Sequence, residues 1–254
     1  MVSLRVGRSP TKQSFKMNLI LLSDSDFITP TRVRLTDRRL THIQEILKAG
    51  IGQSLTIGKI NGLMGQGIIV NKSDDAVELD LTLGQKPPEP LPLTLVLALP
   101  RPPMLKRILF SASMLGVKKI IILNFNRVEK SLWNSSSLKP EAIEEQLILG
   151  LEQAKDTQMP EVILKKGFKP FVQDELPNLI RGKQALVAHP GSSTIILSPS
   201  GQESQSYVVI IGPEGGIIDY EIESLKAAGC KLIDLGPRIL RTDSVLPFIV
   251  GRLF

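Results

Sequence analysis

Apolar and polar positions along the chain fall into two patterns, split by a cluster of prolines. The first pattern is short and strand-like. Residues 17–22 are an apolar run, and Arg32-Val33-Arg34-Leu35 alternates as a strand with one basic face would. Thr36-Asp37 then caps a helix with Leu40, Ile43 and Ile46-Leu47 inward, ended by Gly50. Three more strands are predicted at 54–60, 67–71 and 76–83, with turns at Asn61-Gly62 and Ser73-Asp74-Asp75. This is a small β-rich domain over 17–86. Residues 87–92 hold four prolines, a stiff spacer that neither a helix nor a central strand tolerates.

The second pattern, over 93–254, alternates strand and helix. Strands are predicted at 93–99, 119–123, 185–188, 207–211 and 231–235. One helix starts at Arg101-Pro102-Pro103, aligns Leu105, Ile108, Leu109, Ala112 and Leu115, and stops at Gly116. Another starts at Pro140 and aligns Ile143, Leu147, Leu151 and Ala154. A short amphipathic helix follows, with Asp219 capping its start, Ile222, Leu225 and Ala228 on one face, and Gly229 at its stop. Such alternation predicts an α/β fold with a mostly parallel sheet, and topology rules alone would leave it unknotted.

Composition changes little: 42% hydrophobic and 22% charged residues are ordinary for a globular protein. No apolar run is long enough for a membrane span and the N-terminus lacks a signal-peptide core, so no membrane partner is expected. One cysteine, Cys230, and two histidines, His42 and His189, give no zinc site, and a reducing, cytoplasmic setting is expected. The net charge of +6 is unevenly spread: residues 1–16 carry +4, 17–92 carry −1 and the remainder +3. Residues 1–16 have no periodicity and read as a disordered basic tail, an upstream start ahead of Met17. From Arg32 to Lys48 the local charge is +3, so Arg32, Arg34, Arg38 and Arg39 are candidate RNA contacts on a basic edge of the first domain. With only 4% aromatic residues there is no stacking platform, and phosphate and shape contacts would have to dominate.

Candidate chemistry concentrates late in the chain. Ile210-Ile211-Gly212-Pro213-Glu214-Gly215-Gly216 and Leu235-Gly236-Pro237-Arg238-Ile239-Leu240-Arg241-Thr242 each follow an apolar strand, where open α/β sheets place their ligands. Neither has dinucleotide or Walker-type spacing. The helix after the first loop opens with Asp219, Glu221 and Glu223, which would repel a phosphate. An uncharged or cationic ligand fits better, such as an adenosine carrying a sulfonium. Two tight turns between core strands are the plain alternative for either loop alone.

The paired motif resembles the RsmE family, 16S ribosomal RNA uracil-N3 methyltransferases of the SPOUT superfamily, and the resemblance runs from Met17 to the end. It implies a PUA-like β-barrel domain ahead of a SPOUT-type α/β domain with a deep trefoil knot near the C-terminus, S-adenosyl-L-methionine as cofactor, ribosomal RNA of the small subunit as substrate, and a homodimer. Leu147, Leu151, Val245, Ile249 and Phe254 are candidates for the dimer contact or for intrachain core. The resemblance adds the loop Ala188-His189-Pro190-Gly191, and carries cofactor contacts onto Ala188, His189, Gly191, Ile211, Gly212, Gly216, Leu235, Ile239, Leu240 and Thr242. Transfer to uracil N3 needs a cation near the carbonyl oxygens and a proton acceptor, roles that suit Arg241 and Glu214. Two departures stand out. Where members often read E-Q-S-G-R, this chain has Glu152-Gln153-Ala154-Lys155-Asp156, and after Thr242 it has Asp243-Ser244 in place of Glu-Thr. The loss of the arginine leaves open a different RNA position, or an RNA-binding protein without activity.

Overall fold

The computed structural model describes residues 17–192 and 205–254; the basic tail expected at 1–16 lies outside them. The first sheet comprises β1 (Ile20–Leu22), β2 (Phe27–Thr29), β3 (Arg32–Leu35), β4 (Ser54–Lys59), β5 (Met64–Lys72) and β6 (Val77–Gln85), in the order β1-β4-β5-β6-β3-β2. Only β1 and β4 run parallel. Its alternating positions fill one interior with Val33, Leu35, Ile57, Ile69, Val77 and Leu79, capped by Leu40 and Ile43 from the helix. That helix, α1 (Arg38–Thr41), continues through a wider turn to Ile46 and is capped by Asp37, whose carboxylate accepts Arg39 N at 2.9 Å. Ile46 faces solvent instead of the core, because the wider turn advances the chain past the 3.6-residue period. The helix also ends at Leu47–Lys48, with Lys48 in the left-handed region, ahead of Gly50.

The second sheet is all parallel: β7 (Leu91–Ala98), β8 (Val117–Leu123), β9 (Glu161–Lys165), β10 (Gln184–Ala188), β11 (Tyr207–Ile211) and β12 (Lys231–Ile233), in the order β12-β10-β11-β7-β8-β9. Pro92 lies inside β7, a central strand, against expectation. Pairing with β11 begins only at Leu93, so the missing Pro92 N–H has no partner to lose. Helices α2 (Pro102–Met114) and α3 (Pro140–Ala154) pack together. The short α4 (Phe168–Pro170) and α5 (Leu176–Leu179) lead to β10, and α6 (Asp219–Ala227) joins β11 to β12. Asp219 is the first helical residue of α6, not its cap; Glu221 reaches back to Ile218 N at 3.3 Å. The last helix, α7 (Thr242–Leu253), returns to pack on α2 and β11. Leu147, Val245 and Ile249 are consumed by this core and Leu151 by the contact between domains. Of the dimer candidates only Phe254 stays exposed, edge-on to Tyr207.

The two sheets share a second, smaller core of Leu19, Leu21, Met64 and Leu151. Around it sit fixed polar contacts. Arg38 donates to both carboxylate oxygens of Glu152 at 2.9 Å, and Glu152 is only 1% exposed. Burial raises the Glu152 pKa and Arg38 pulls it back only in part. Thr157 Oγ1 donates to Gly62 O at 2.6 Å and Asn61 N donates to Thr157 O at 2.7 Å. A Cβ at Gly58 would lie 2.5 Å from the Thr157 methyl, so the approach of the domains requires glycine there. Asp156, the departure from the family pattern, is buried and pairs with Lys118, while accepting Gln158 N at 2.9 Å. Lys155 ends α3 in the left-handed region. The stretch in which this chain lacks the family's arginine supplies, through Glu152 and Thr157, contacts to the first domain.

Arg39 is the most enclosed cation of the first domain. It is 11% exposed, pairs with Asp26 at 2.6 Å and Asp37 at 2.7 Å, and donates to Leu21 O. Burial alone would raise both carboxylates, but the hydrogen bonds and charge of Arg39 hold them below their ordinary values. Arg39→Ala strands Asp26 and should cost about 3 kcal/mol at neutral pH in chemical denaturation. A depressed folded pKa makes this stabilisation present above the unfolded value and lost as pH falls through the folded one. The deficit should therefore hold down to about pH 4 and shrink below it. A deficit that stays constant into stronger acid would assign the effect to packing instead.

Candidate functional site

Because every strand of the second sheet runs the same way, all the loops after their C-terminal ends emerge at one edge. Three of them leave adjacent strands, β12, β10 and β11, and enclose a cavity of about 390 Å³. The loop after β11 turns sharply, with Gly216 N donating to Pro213 O at 2.8 Å and Gly216 at φ +80°. A Cβ on Gly212 would lie 2.5 Å from Ile217 Cγ1, so that glycine lets the buried Ile217 close under the turn. His189 N donates to Ile233 O at 3.0 Å, joining the β10 loop to β12.

Asp234 ties two of these loops together. One carboxylate oxygen accepts Gly236 N at 2.7 Å and the other accepts Gly191 N at 2.7 Å. It was not foreseen, although Asp234-Leu235-Gly236 carries the signal of an Asx turn, a side chain bonding the backbone two residues on. All ten positions carried over as cofactor contacts line this one cavity: Ala188, His189, Gly191, Ile211, Gly212, Gly216, Leu235, Ile239, Leu240 and Thr242. The His189 ring makes no hydrogen bond among the described residues. Ile239, at the rim, is 88% exposed.

The lining is suited to an adenosine bearing a cationic sulfonium. Its volume lies within the range of small-molecule sites. Ile211, Ile217, Leu240 and Val245 supply apolar floor, and the glycine-bearing loops offer main-chain groups. Its carboxylates are Glu214 and Asp234, and its one cation, Arg238, is exposed, a balance that favours positive over negative ligands. No group of His, Cys, Asp and Glu among the described residues could hold a metal. Cys230 is buried, and burial pushes its thiol up to about 11.

Glu214 also walls a second cavity of about 610 Å³, and Arg241 opens onto that one rather than the first. Arg241 is 65% exposed and its guanidinium reaches Asp243 at 3.4 Å, not Glu214. Glu214 instead accepts the Arg101 N–H at 3.4 Å. Arg101, Arg107 and Arg127 complete this basin; no periodicity or motif singled them out, since they come from loops and helices far apart in sequence.

The four arginines named as RNA contacts do not form a basic face. Register sets Arg32 opposite Asp80 and Arg34 opposite Glu78 on the neighbouring strand, and Arg32 binds Asp80 at 2.6 Å. Arg38 holds Glu152 and Arg39 holds Asp26. Arg34 is exposed and makes no ion pair or hydrogen bond among the described residues. Asp80 and Glu152 lie 48 and 114 positions after the arginines they pair with, and Asp26 lies 13 before Arg39, all outside the stretch from Arg32 to Lys48.

No helix among the described residues is long and apolar enough to cross a membrane. Residues 87–253 match the RNA methyltransferase domain family. Similar relatives include the ribosomal RNA small subunit methyltransferase E of Treponema pallidum, 28% identical over 231 residues, 90% of this chain and 87% of that one. That of Synechocystis is 27% identical over 237 residues, 91% of this chain and 75% of that one. The crystal structure of a ribosomal RNA small subunit methyltransferase E from Neisseria gonorrhoeae, bound to S-adenosyl methionine, superposes with a TM-score of 0.72 at 19% identity, over 92% of this chain and 95% of that one. A Legionella pneumophila methyltransferase with bound cofactor gives 0.69 at 22% identity, over 92% and 96%. The shared architecture is a curled, mostly antiparallel sheet ahead of an all-parallel α/β sheet. Matched through its whole second domain and by relatives that span both, the chain belongs to the RNA methyltransferase domain family, among the ribosomal RNA small subunit methyltransferase E proteins, the RsmE family.

Proposed function

We propose that this chain methylates N3 of a uridine in small-subunit ribosomal RNA, with S-adenosylmethionine as the methyl donor. The carrying observation is the pair of cavities that share Glu214: one apolar, with glycine-bearing walls, the other lined with arginines. The three loops hold the adenosine by main-chain groups over the apolar floor, and Asp234 keeps two of them in register. When bound, the cofactor supplies an electrophilic methyl group on a sulfonium.

The remaining chemistry belongs to the chain. Uracil N3 is weakly acidic, and its proton must leave as the nitrogen attacks, spreading negative charge onto the adjacent carbonyl oxygens. Arg241 stabilises that charge, being always protonated, itself exposed, and held only by a long contact to Asp243. Glu214, exposed on the wall between the cavities, takes the proton. The Asp156 substitution gives no ground for another target, because that side chain is buried against Lys118. The enzyme acts in the cytoplasm, where its RNA is found, as a homodimer, with exposed Ile239 and Phe254 available to a second copy.

Mass spectrometry of small-subunit RNA from cells lacking the gene should show one N3-methyluridine lost; an unchanged modification profile would overturn the reading. Arg241→Ala should bind S-adenosylmethionine almost as the parent does in calorimetry, yet methylate saturating RNA roughly a hundred- to a thousandfold more slowly in single turnover. Arg241→Lys should recover part of the rate, and an unimpaired Arg241→Ala would reduce the residue to a structural cap. Asp234→Ala frees two loop amides and should weaken cofactor binding by about tenfold with the fold intact, whereas unchanged affinity would mean the loops hold without it. Light scattering should give twice the chain mass at micromolar concentration, and a stable monomer there would exclude the dimer.

A further inference from the structure

The basin beyond Glu214 carries more than Arg241. We propose that it seats the target nucleotide of the RNA and that Arg127 is the residue that grips the nucleotide's phosphate, an assignment that rests on the RNA-methylating reading above. The basin's volume, about 610 Å³ against about 390 Å³ for the cofactor cavity, is ample for one extruded nucleotide, and the shared Glu214 sets the two ligands on either side of one wall.

Charge singles out Arg127. Arg101 faces Glu129 at 3.1 Å, and Arg107 and Arg241 share Asp243 at 3.2 and 3.4 Å. The three guanidinium side chains are more than half exposed, so solvent screens each contact on the arginine side and leaves it free to turn to a phosphate. Arg127 instead donates to a neutral acceptor, the carbonyl of Gly215, and meets no carboxylate among the described residues. Its charge is therefore uncompensated, and a planar guanidinium with one donor engaged keeps others for phosphate oxygens.

Arg127 is also well fixed. Its loop follows β8 and is pinned where Asn126 N donates to the buried Glu221 at 2.7 Å, beside the fully buried Phe125. Glu221 belongs to α6, directly after the Glu214–Gly216 turn, so one carboxylate binds the Arg127 loop to the wall between the cavities. The side chain lies along that turn: a Cβ on Gly215 would sit 3.4 Å from Arg127 Cδ, and one on Gly216 3.4 Å from its guanidinium. A phosphate held here would bring its base to the wall that faces the cofactor. Phosphate contacts of this kind position a nucleotide without reading its sequence.

The test is equilibrium binding of a small-subunit ribosomal RNA transcript across a salt series, with wild type, Arg127→Ala and Arg127→Lys. Arg127→Ala should bind about tenfold more weakly. Its plot of log affinity against log salt should be shallower by about 0.7, the share of one single-strand phosphate contact. Calorimetric affinity for S-adenosylmethionine should stay near wild type, and Arg127→Lys should restore the salt slope. An unchanged slope in Arg127→Ala would overturn the proposal. So would a parallel loss of cofactor affinity that Arg127→Lys fails to rescue, which would make Arg127 a clasp for the turn. Binding is read without turnover: a wild type that binds the transcript but never methylates it overturns the enzymatic reading, while a changed slope still supports Arg127 as the phosphate contact.

Discussion

Parallel pairing of β11 with both β10 and β7 is the constraint on which the rest of the molecule depends. Tyr207–Ile211 is buried at every residue and pairs in register on both sides, so it cannot shift without breaking two ladders. Its position forces the turn at Gly212–Gly216 between the loops that follow β10 and β7. It also forces α6 to carry the chain to β12 on the far side of β10. The cofactor cavity follows from that order of strands, since three consecutive C-terminal ends supply its walls.

Buried charge does a second job, that of holding two domains as one body. Glu152 and Arg38 join the domains across a boundary that the prolines of 87–92 would otherwise leave as a stiff tether. Such a pair contributes little net stability after desolvation, but it is costly to break from one side, which favours a single arrangement over near alternatives. The Thr157–Gly62 contact and the close approach at Gly58 act in the same direction through geometry. An RNA that touches both domains then meets a surface of set dimensions.

Exposure separates the two kinds of arginine in this protein. Arg32, Arg38 and Arg39 of the first domain are paired with acids across strands or in the interior, while Arg34 is exposed. Four of the second domain, Arg101, Arg107, Arg127 and Arg241, line one open cavity with long or neutral contacts. Cationic charge is thus displaced from where its density in sequence is greatest to where the chemistry needs it.

Local patterning was legible. The 3.6-residue periods of α2 and α3, the strands at Arg32–Leu35 and Tyr207–Ile211, and the paired glycine motifs all depend on neighbours within a few positions. The ten cofactor-cavity residues could be named only through the family resemblance that the paired glycine motifs carry, and all ten line one cavity. What tertiary structure alone decided has a common cause, contact between residues distant in the chain. The short strand β9 exists because β8 offers it a partner; the order β10-β11-β7 has no local signature. Cross-strand register and packing drew three of the four arginines, Arg32, Arg38 and Arg39, into ion pairs, and packing turned Asp156 and Glu152 into buried anchors. Arg127 became notable only once β8 and α6 were neighbours. Sequence determines which residues are able to play each part; the fold determines which of them meet.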